Sequence, residues 1–341
     1  MKKYRVGIVG CGNIFPMHAL PVIHDDRCEL VAVCDNKEDR AKGSAEEFNC
    51  NYYLDYKEMI DKENLDVLHI CLPHYLHAEV AIYALNNKVH VMTEKPMSIH
   101  LDDAKAMVAA AEDNEKTLGV IFQNRYNPGS QLIKNTLESG ELGKVITGKL
   151  SVTWNRSDEY YGKSDWKGTW EKEGGGVIID QAIHTMDLMR WFIDEEIDYI
   201  DAHIANRGHA VIQVEDSAEG IIHYTNGVST AFHAINYYGY DAPVELEIYC
   251  EKGIIKMIAD KGIIEFDDGR TLIADENPNE IFEYGDVKQY WGVSHIKQLR
   301  LFYDALDQGI EPEINGVEAL KTQEMICAIY ESGKEGKTIS F

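Results

Sequence analysis

The sequence is short of positive charge. Lys and Arg number 33 against 58 Asp and Glu, a formal net charge of −25. A chain this acidic repels phosphate polyanions and anionic lipid surfaces, so neither nucleic acid nor a membrane is an expected partner. No run approaches the ~18 consecutive apolar residues of a membrane-spanning helix. The opening Met1-Lys2-Lys3-Tyr4-Arg5 is basic, but the apolar run behind it stops at Gly10 and polarity returns by Asn13. That is not the shape of a secretory signal. Cysteine is sparse: Cys11, Cys28, Cys34, Cys50, Cys71, Cys250 and Cys327 form no CxxC pair and no zinc spacing. Their odd number and their placement in apolar runs suit buried free thiols in a reducing cytosol. A cytoplasmic location and no metal site are therefore expected. Low-complexity tracts and repeats of 20–50 residues are also missing, which excludes solenoid and array architectures.

What is present is enough apolar residue, 45% of 341, for two cores, and a chain of this length usually divides. In the first 123 residues, short β-branched runs (Arg5–Val9, Leu30–Cys34, Val67–Leu72, Val89–Met92, Leu118–Phe122) alternate with helical spacing at Asp39–Phe48, Tyr56–Lys62, Leu76–Asn86 and Leu101–Asn114. Strand–helix alternation with near-continuous apolar strands predicts a parallel sheet covered on both faces. A first helix over roughly Ile14–His24 contains Pro16, which fits a first turn, and Pro21, which should kink or shorten it. The pattern changes at Asn127–Pro128. A helix from Gly129 to Ser139 should end at Gly140, and polar–apolar alternation follows in Lys149–Trp154, Ala218–Tyr224 and Val228–Ile235. Asn226–Gly227 is a hairpin signal, with further turns at Glu251-Lys252-Gly253, Asp260-Lys261-Gly262 and Asp268-Gly269. Helical spacing returns at His295–Asp307 and Val317–Ser332. The expected fold is α/β: a Rossmann domain over residues 1–123 and, over 124–341, an α/β domain with a large, open, mostly antiparallel sheet.

Gly10-Cys11-Gly12-Asn13-Ile14-Phe15 follows the first strand and opens a helix. Gly10 permits the tight turn, Gly12 lets backbone approach a pyrophosphate, and the helix N-terminus supplies N–H donors. Phe15 stands where the dinucleotide-binding pattern has a third glycine, and an isolated GxG is also an ordinary turn. The second strand ends at Asp35, 25 residues after Gly10, near the spacing of the acid that binds the adenosine ribose. A carboxylate there accepts from the ribose hydroxyls and repels a 2′-phosphate. With Asn36 beside it, NAD is the expected cofactor in preference to NADP, although Arg40 is close by.

Three further motifs follow. Cys71-Leu72-Pro73-His74, with His77 beyond, ends the fourth strand, and Glu94-Lys95-Pro96 ends the fifth. The second domain contains Gly174-Gly175-Gly176, then Asp180, His184 and Asp187 at i, i+4, i+7, which on a helix share one face. Alone, each has a plain reading as a surface histidine, a solvated turn lysine or a glycine run touching a neighbouring element. Together, the segments GCGNIF, LPHYLHAE, EKP, QNRYNP and EGGGVIIDQAIHTMD resemble the glucose–fructose oxidoreductase/inositol dehydrogenase (Gfo/Idh/MocA) family along nearly the whole chain. The resemblance implies oxidation or reduction of a sugar or cyclitol hydroxyl carbon with NAD(P), and a homodimer or homotetramer formed through the C-terminal sheet. It maps the catalytic residues onto Lys95, Asp180 and His184. It gives as cofactor-binding Gly10, Gly12, Asn13, Ile14, Phe15, Asp35, Asn36, Leu72, Pro73, His77, Glu94, Lys95, Gln123 and Asn124. Imidazole, with an ordinary pKa near 6.5, suits general-base work near neutrality, so His184 is the expected base. Lys95 would stabilise charge developing on the reacting oxygen, and Asp180 would orient His184 or hold a substrate hydroxyl.

Between Trp154 and Trp170 the chain interleaves aromatic and basic residues. Aromatic faces can pack on a sugar ring while basic groups bind its oxygens; the same aromatics could equally be core. Trp166 and Lys167 lead this set, with Trp154, Tyr160 and Tyr161, and with Asp180 and His184 shared with the chemistry. Tyr126 and the Tyr237–Tyr240 cluster are weaker candidates. Two other functions fit the same motifs: a redox-neutral glycosidase using NAD transiently, and a sensor that binds NAD or sugar without turnover.

Overall fold

The computed structural model describes residues 3–275 and 292–341. Among these, residues 3–123 with 292–321 form one compact unit, and 124–275 with 322–341 form a second. The change of unit at Gln123/Asn124 falls a few residues before the change of sequence pattern at Asn127–Pro128.

In the first unit, strands β1 (Tyr4–Val9), β2 (Cys28–Cys34), β3 (Asn51–Tyr53), β4 (Val67–Ile70), β5 (His90–Thr93) and β6 (Leu118–Val120) alternate with helices α1 (Phe15–Ile23), α2 (Glu38–Phe48), α3 (Tyr56–Glu63), α4 (His77–Asn86) and α5 (Leu101–Asp113). The six strands form a parallel sheet in the order β3-β2-β1-β4-β5-β6. Val6, Ile8, Val33, Val67 and Met92 are essentially inaccessible, as strands covered on both faces require. Strand order reverses between β1 and β4, and the carboxyl ends of strands at such a switch point are where open α/β sheets bind ligands. The GCGNIF turn leaves β1 there, and Cys71–His74 leaves β4.

Three details differ from the sequence-based expectation. Strand β3 went unseen because Asn51-Tyr52-Tyr53 is a short, largely exposed edge strand with no apolar alternation. Pro21 does not interrupt α1; it lies buried in the last turn, and the helix ends two residues later. Helix α9 (Gly292–Gln308) was expected with the second domain but is compact with the first. Its Leu299, Phe302 and Tyr303 complete the core formed by β1, β2 and α1. Its Gln298 bonds the outer edge of β6, the last strand of the sheet, donating to the Val120 carbonyl and accepting from the Phe122 N–H.

The second unit is built on a nine-stranded sheet ordered β14-β13-β12-β11-β7-β10-β9-β8-β15. It contains α6 (Pro128–Ser139), β7 (Val145–Thr153), α7 (Asp158–Gly162), α8 (Ile183–Ile193), β8 (Ile197–Ala205), β9 (Ser217–Tyr224), β10 (Ser229–Ile235), β11 (Glu245–Cys250), β12 (Gly253–Ile258), β13 (Lys261–Phe266), β14 (Thr271–Ala274) and β15 (Ile339–Ser340). Helix α10 (Gly316–Glu335) contributes its later turns. Every strand pair is antiparallel except β7 with β10. Burial alternates along β10 and β11: Phe232, Ala234, Leu246 and Ile248 point into the core, while Ala231, His233 and Glu245 point out. One face is therefore packed and the other open. No helix of the described residues is long and apolar enough to cross a membrane.

Candidate active site

In the first unit, Gly10 has φ +95°, and a Cβ there would lie 2.3 Å from the Cys71 carbonyl oxygen. Only glycine meets both conditions. A Cβ on Gly12 would meet nothing within 4 Å, so the turn is open on that side. Helix α1 starts beside it without a side-chain cap or an acidic residue in its first turn. An open glycine turn and a helix N-terminus without a capping side chain are what a pyrophosphate needs. Asn13 is exposed and Ile14, the N-cap residue, half-buried. Phe15 answers differently: its ring is core, edge-on to Phe48 at 5.5 Å, and its N–H is spent on the Gly12 carbonyl. The missing third glycine is thus filled by packing against α2, away from the turn.

Asp35 ends β2 with its carboxylate fixed from both sides. Oδ2 accepts from the Cys11 N–H at 2.9 Å and Oδ1 from the Lys37 N–H at 2.8 Å. Asn36 is exposed. Leu72 and Pro73 are half-buried, and His77 behind them is a clamp. Its ring nitrogens lie 2.7 Å from the Pro96 carbonyl and 2.8 Å from the Leu72 carbonyl, tying the segments after β4 and β5 together. Burial lowers its pKa against the pull of those carbonyls. Glu94 is buried, and Lys95, beside it, is half-buried. The Oε1 atom of Gln123 is buried with no hydrogen-bond partner among the described residues, an orphaned acceptor of the kind a ligand amide satisfies.

In the second unit the glycine run is explained by protein rather than ligand. A Cβ on Gly175 would lie 2.0 Å from the Tyr330 hydroxyl, and one on Gly176 1.9 Å from the Glu215 carbonyl oxygen. The Glu215 carboxylate accepts from the N–H groups of Gly176 and Ile178 and from the Tyr330 hydroxyl, pinning the segment. Burial nevertheless pushes Glu215 up to about 7. The chain then winds through a π-helical turn, Val177–Ala182, before α8.

Asp180 sits on that turn, and three donors converge on its Oδ2: Lys167 Nζ at 2.7 Å, Gln181 Nε2 at 2.6 Å and the Tyr160 hydroxyl at 3.1 Å. The Lys167 ammonium also lies 4.6 Å from the Trp166 ring centroid and 4.8 Å from that of Tyr160. Burial works against its charge, but Asp180, with Tyr160 and Glu173, raises its pKa overall. Glu173, fully buried and 3.6 Å from Lys167, is pushed up to about 8 by burial and by Asp180. His184 follows, half-buried, in the first turn of α8.

Asp187 does not join Asp180 on a shared face. It is fully buried, paired with Arg125 at 2.6 Å and accepting from the Thr322 hydroxyl. The π turn breaks the regular α spacing on which the shared face depended. Tyr161 is also core: its hydroxyl accepts from Asn236, and its ring packs with Ile212 and Val214. Trp154 is half-buried and donates to the Ala242 carbonyl. Asn124 and Tyr126 are half-buried, and Tyr237, Tyr238 and Tyr240 are exposed. Sequence reasoning named Tyr160 only within the aromatic segment 154–170 and did not single out Gln181, Glu173 or Glu215. Glu173 and Gln181 lie inside the glycine-run motif and were findable; Glu215 lies 39 residues beyond Gly176 and only the fold brings it there.

Residues 4–122 match the profile of the GFO/IDH/MocA oxidoreductase family, NAD-binding Rossmann fold, and residues 130–256 match the GFO/IDH/MocA C-terminal domain. The inositol 2-dehydrogenase of Salmonella typhimurium is 26% identical over 319 residues, covering 90% of this chain and 87% of that protein. The D-glucoside 3-dehydrogenase of Escherichia coli is 30% identical over 241 residues, 65% of this chain and 67% of that protein. Among solved structures, the WlbA dehydrogenase of Bordetella pertussis in complex with NADH and UDP-GlcNAcA superposes with a TM-score of 0.88 at 27% identity, covering 100% of this chain and 98% of that one.

Proposed function

The chain belongs to the GFO/IDH/MocA oxidoreductase family, and on that footing we propose that it transfers hydride between NAD, preferred over NADP, and a secondary hydroxyl or keto carbon of a sugar, sugar derivative or cyclitol. The observation that carries this reading is the Asp180 constellation: an anion held by Lys167, Tyr160 and Gln181 beside the Trp166 ring, four residues before His184. Fixed charge, polar donors and aromatic faces together match a polyhydroxylated ring.

NAD, when bound, supplies the hydride acceptor. The GCGNIF turn and the start of α1 would hold its pyrophosphate, Asp35 its adenosine ribose, and Gln123 a polar group of the cofactor. In oxidation the substrate hydroxyl must also lose a proton, and His184 takes it. The Lys95 ammonium donates to the reacting oxygen and offsets the charge that develops there. Asp180, oriented by its three donors, accepts from a substrate hydroxyl. A homodimer or homotetramer formed through the open face of the nine-stranded sheet and a reducing, cytoplasmic setting complete the proposal. All seven cysteines are unpaired, which suits that setting.

Fluorescence titration with NADH and NADPH, then an absorbance screen at 340 nm with NAD and a panel of sugars, cyclitols and sugar acids, tests this reading. NADH should bind more tightly than NADPH, and one compound class should generate NADH. In Asp35→Ala, NADH binding should weaken by about tenfold and the gap to NADPH should narrow. Sugar release from glycosides without net NADH would replace the dehydrogenase with a redox-neutral glycosidase.

A further inference from the structure

The first unit contains a chain of buried polar side chains that the reaction above does not use. His18 on α1, His69 on β4 and Tyr303 on α9 are at most 1% exposed. His18 Nε2 lies 3.1 Å from Glu94 Oε1, His18 Nδ1 lies 2.9 Å from His69 Nδ1, and His69 Nε2 lies 2.9 Å from the Tyr303 hydroxyl. His295 Nε2 is 3.3 Å from the same Glu94 oxygen, and Glu94 Oε2 accepts from the Lys95 N–H. Three secondary-structure elements that are distant in sequence, α1, β4 and α9, thus supply a network that ends on the residue preceding Lys95.

The donors along this chain follow from valence. An ionised carboxylate only accepts, so His18 must carry its proton on Nε2. A neutral imidazole then presents Nδ1 as an acceptor, which requires His69 to donate from its own Nδ1. That leaves His69 Nε2 as an acceptor, and Tyr303 donates to it. A single ionised Glu94 therefore sets every bond from Tyr303 through His69 and His18. The electrostatics agree: burial lowers the pKa of both histidines and keeps them neutral. Burial alone would raise Glu94, but the bonds from His18 and His295 hold it well below the usual carboxylate range. Three donors use three of the roughly four acceptor sites of the carboxylate, leaving Oε2 able to accept one more.

We propose that His18 is a positioning residue for cofactor binding: backed by His69 and Tyr303, it holds the Glu94 carboxylate oriented to accept a hydroxyl of the nicotinamide cofactor. This rests on the reading of Glu94 as a cofactor-binding residue, and the test separates the two. NADH binding is titrated by fluorescence in the full-length protein and in Glu94→Gln, His18→Leu, His18→Gln and the His18→Leu/Glu94→Gln double variant, with a thermal melt of each. Glutamine offers an amide N–H donor and a carbonyl acceptor in place of the N–H donor and nitrogen acceptor of neutral imidazole; leucine offers neither. His18→Leu should weaken NADH about tenfold or more, His18→Gln should stay within about threefold of wild type, and the double variant should bind no worse than Glu94→Gln alone. If His18→Leu does not fold, Tyr303→Phe keeps the ring and removes only the last donor. It should weaken NADH by about twofold to fivefold, and only when Glu94 is present. Wild-type binding in His18→Leu alongside a weakened Glu94→Gln would overturn the positioning role and leave Glu94 in place. Wild-type binding in Glu94→Gln would remove Glu94 itself, and the proposal with it. An equal loss from His18→Leu with and without Glu94 would mean that His18 acts by another route.

Discussion

At Asp180 three hydrogen-bond donors meet one carboxylate oxygen, while seven residues upstream Glu173 is buried and pushed up to about 8. Two carboxylates around one lysine cannot both ionise cheaply in a dry site, and burial together with the Asp180 charge favours the proton on Glu173. The sign of the consequence is fixed. An acid whose folded pKa is raised contributes stability that is complete below its unfolded value, near 4.5, and is lost as pH rises through about 8. Glu215, raised to about 7, acts in the same direction. Wild-type protein should therefore melt lower at pH 9 than at pH 6, and Glu173→Gln should shrink that difference by roughly 2–6 °C. An unchanged difference in scanning calorimetry would mean that Glu173 ionises normally. At Lys95 the expected effect is on rate alone. Lys95→Ala should cost roughly 10²–10³ in turnover, as loss of one charge-stabilising donor does. Its melting temperature should stay at the wild-type value, because Lys95 is only half-buried. Near-normal turnover would take the lysine out of the mechanism.

The segment from Gly174 to Ala182 shows what an element does that its residues alone do not. The glycines admit Tyr330 and the Glu215 backbone at distances no side chain allows, and the Glu215 carboxylate then ties down Gly176 and Ile178. The π turn that follows lets Asp180 face Lys167 while Asp187 turns to Arg125. Gly176→Ala would drive a Cβ to 1.9 Å from a backbone oxygen that has nowhere to go. It should destabilise the protein by roughly 3 kcal/mol or more. A thermal melt of the purified variant checks this, and a melt within a degree of wild type would mean the contact relaxes freely. Helix α1 is the counterexample. Its sequence departs from the dinucleotide pattern at Phe15, yet the turn keeps its form because α2 provides a place for the ring.

Over the whole chain, the second unit presents an open sheet face on which Ile221 and Ala231 lie among charged residues such as Lys149 and Glu265. A nine-stranded sheet with one bare face suits the proposed pairing with a second copy, since a face of that size can exceed the area a stable dimer buries. Sedimentation velocity should show a dimer or tetramer, and Ile221→Asp should shift it towards monomer. A wild-type monomer at micromolar concentration would exclude that assembly. The net charge of −25 keeps such particles apart from one another and from polyanions.

Much of the architecture was legible because it is written in local periodicity. Apolar runs marked β1, β2 and β4, helical spacing marked α2 to α5, and Pro128 and Gly140 bracket α6 at its two ends. Gly10 was legible as a tight turn and the glycines at 174–176 as close backbone approach, since few other roles demand that residue. The sequence by itself determined the two sheets, the place where the pattern changes, and the residue types able to bind a dinucleotide and move a proton. Tertiary structure alone decided that α9 packs with the first unit, that the glycine run admits Tyr330 and Glu215, that Tyr161 is core while Tyr160 reaches Asp180, and that Glu94 ends a chain of buried histidines. The physical reason is distance along the chain. Propensity and period act over a few residues, whereas burial, pairing and protonation depend on neighbours hundreds of residues away, which only folding supplies.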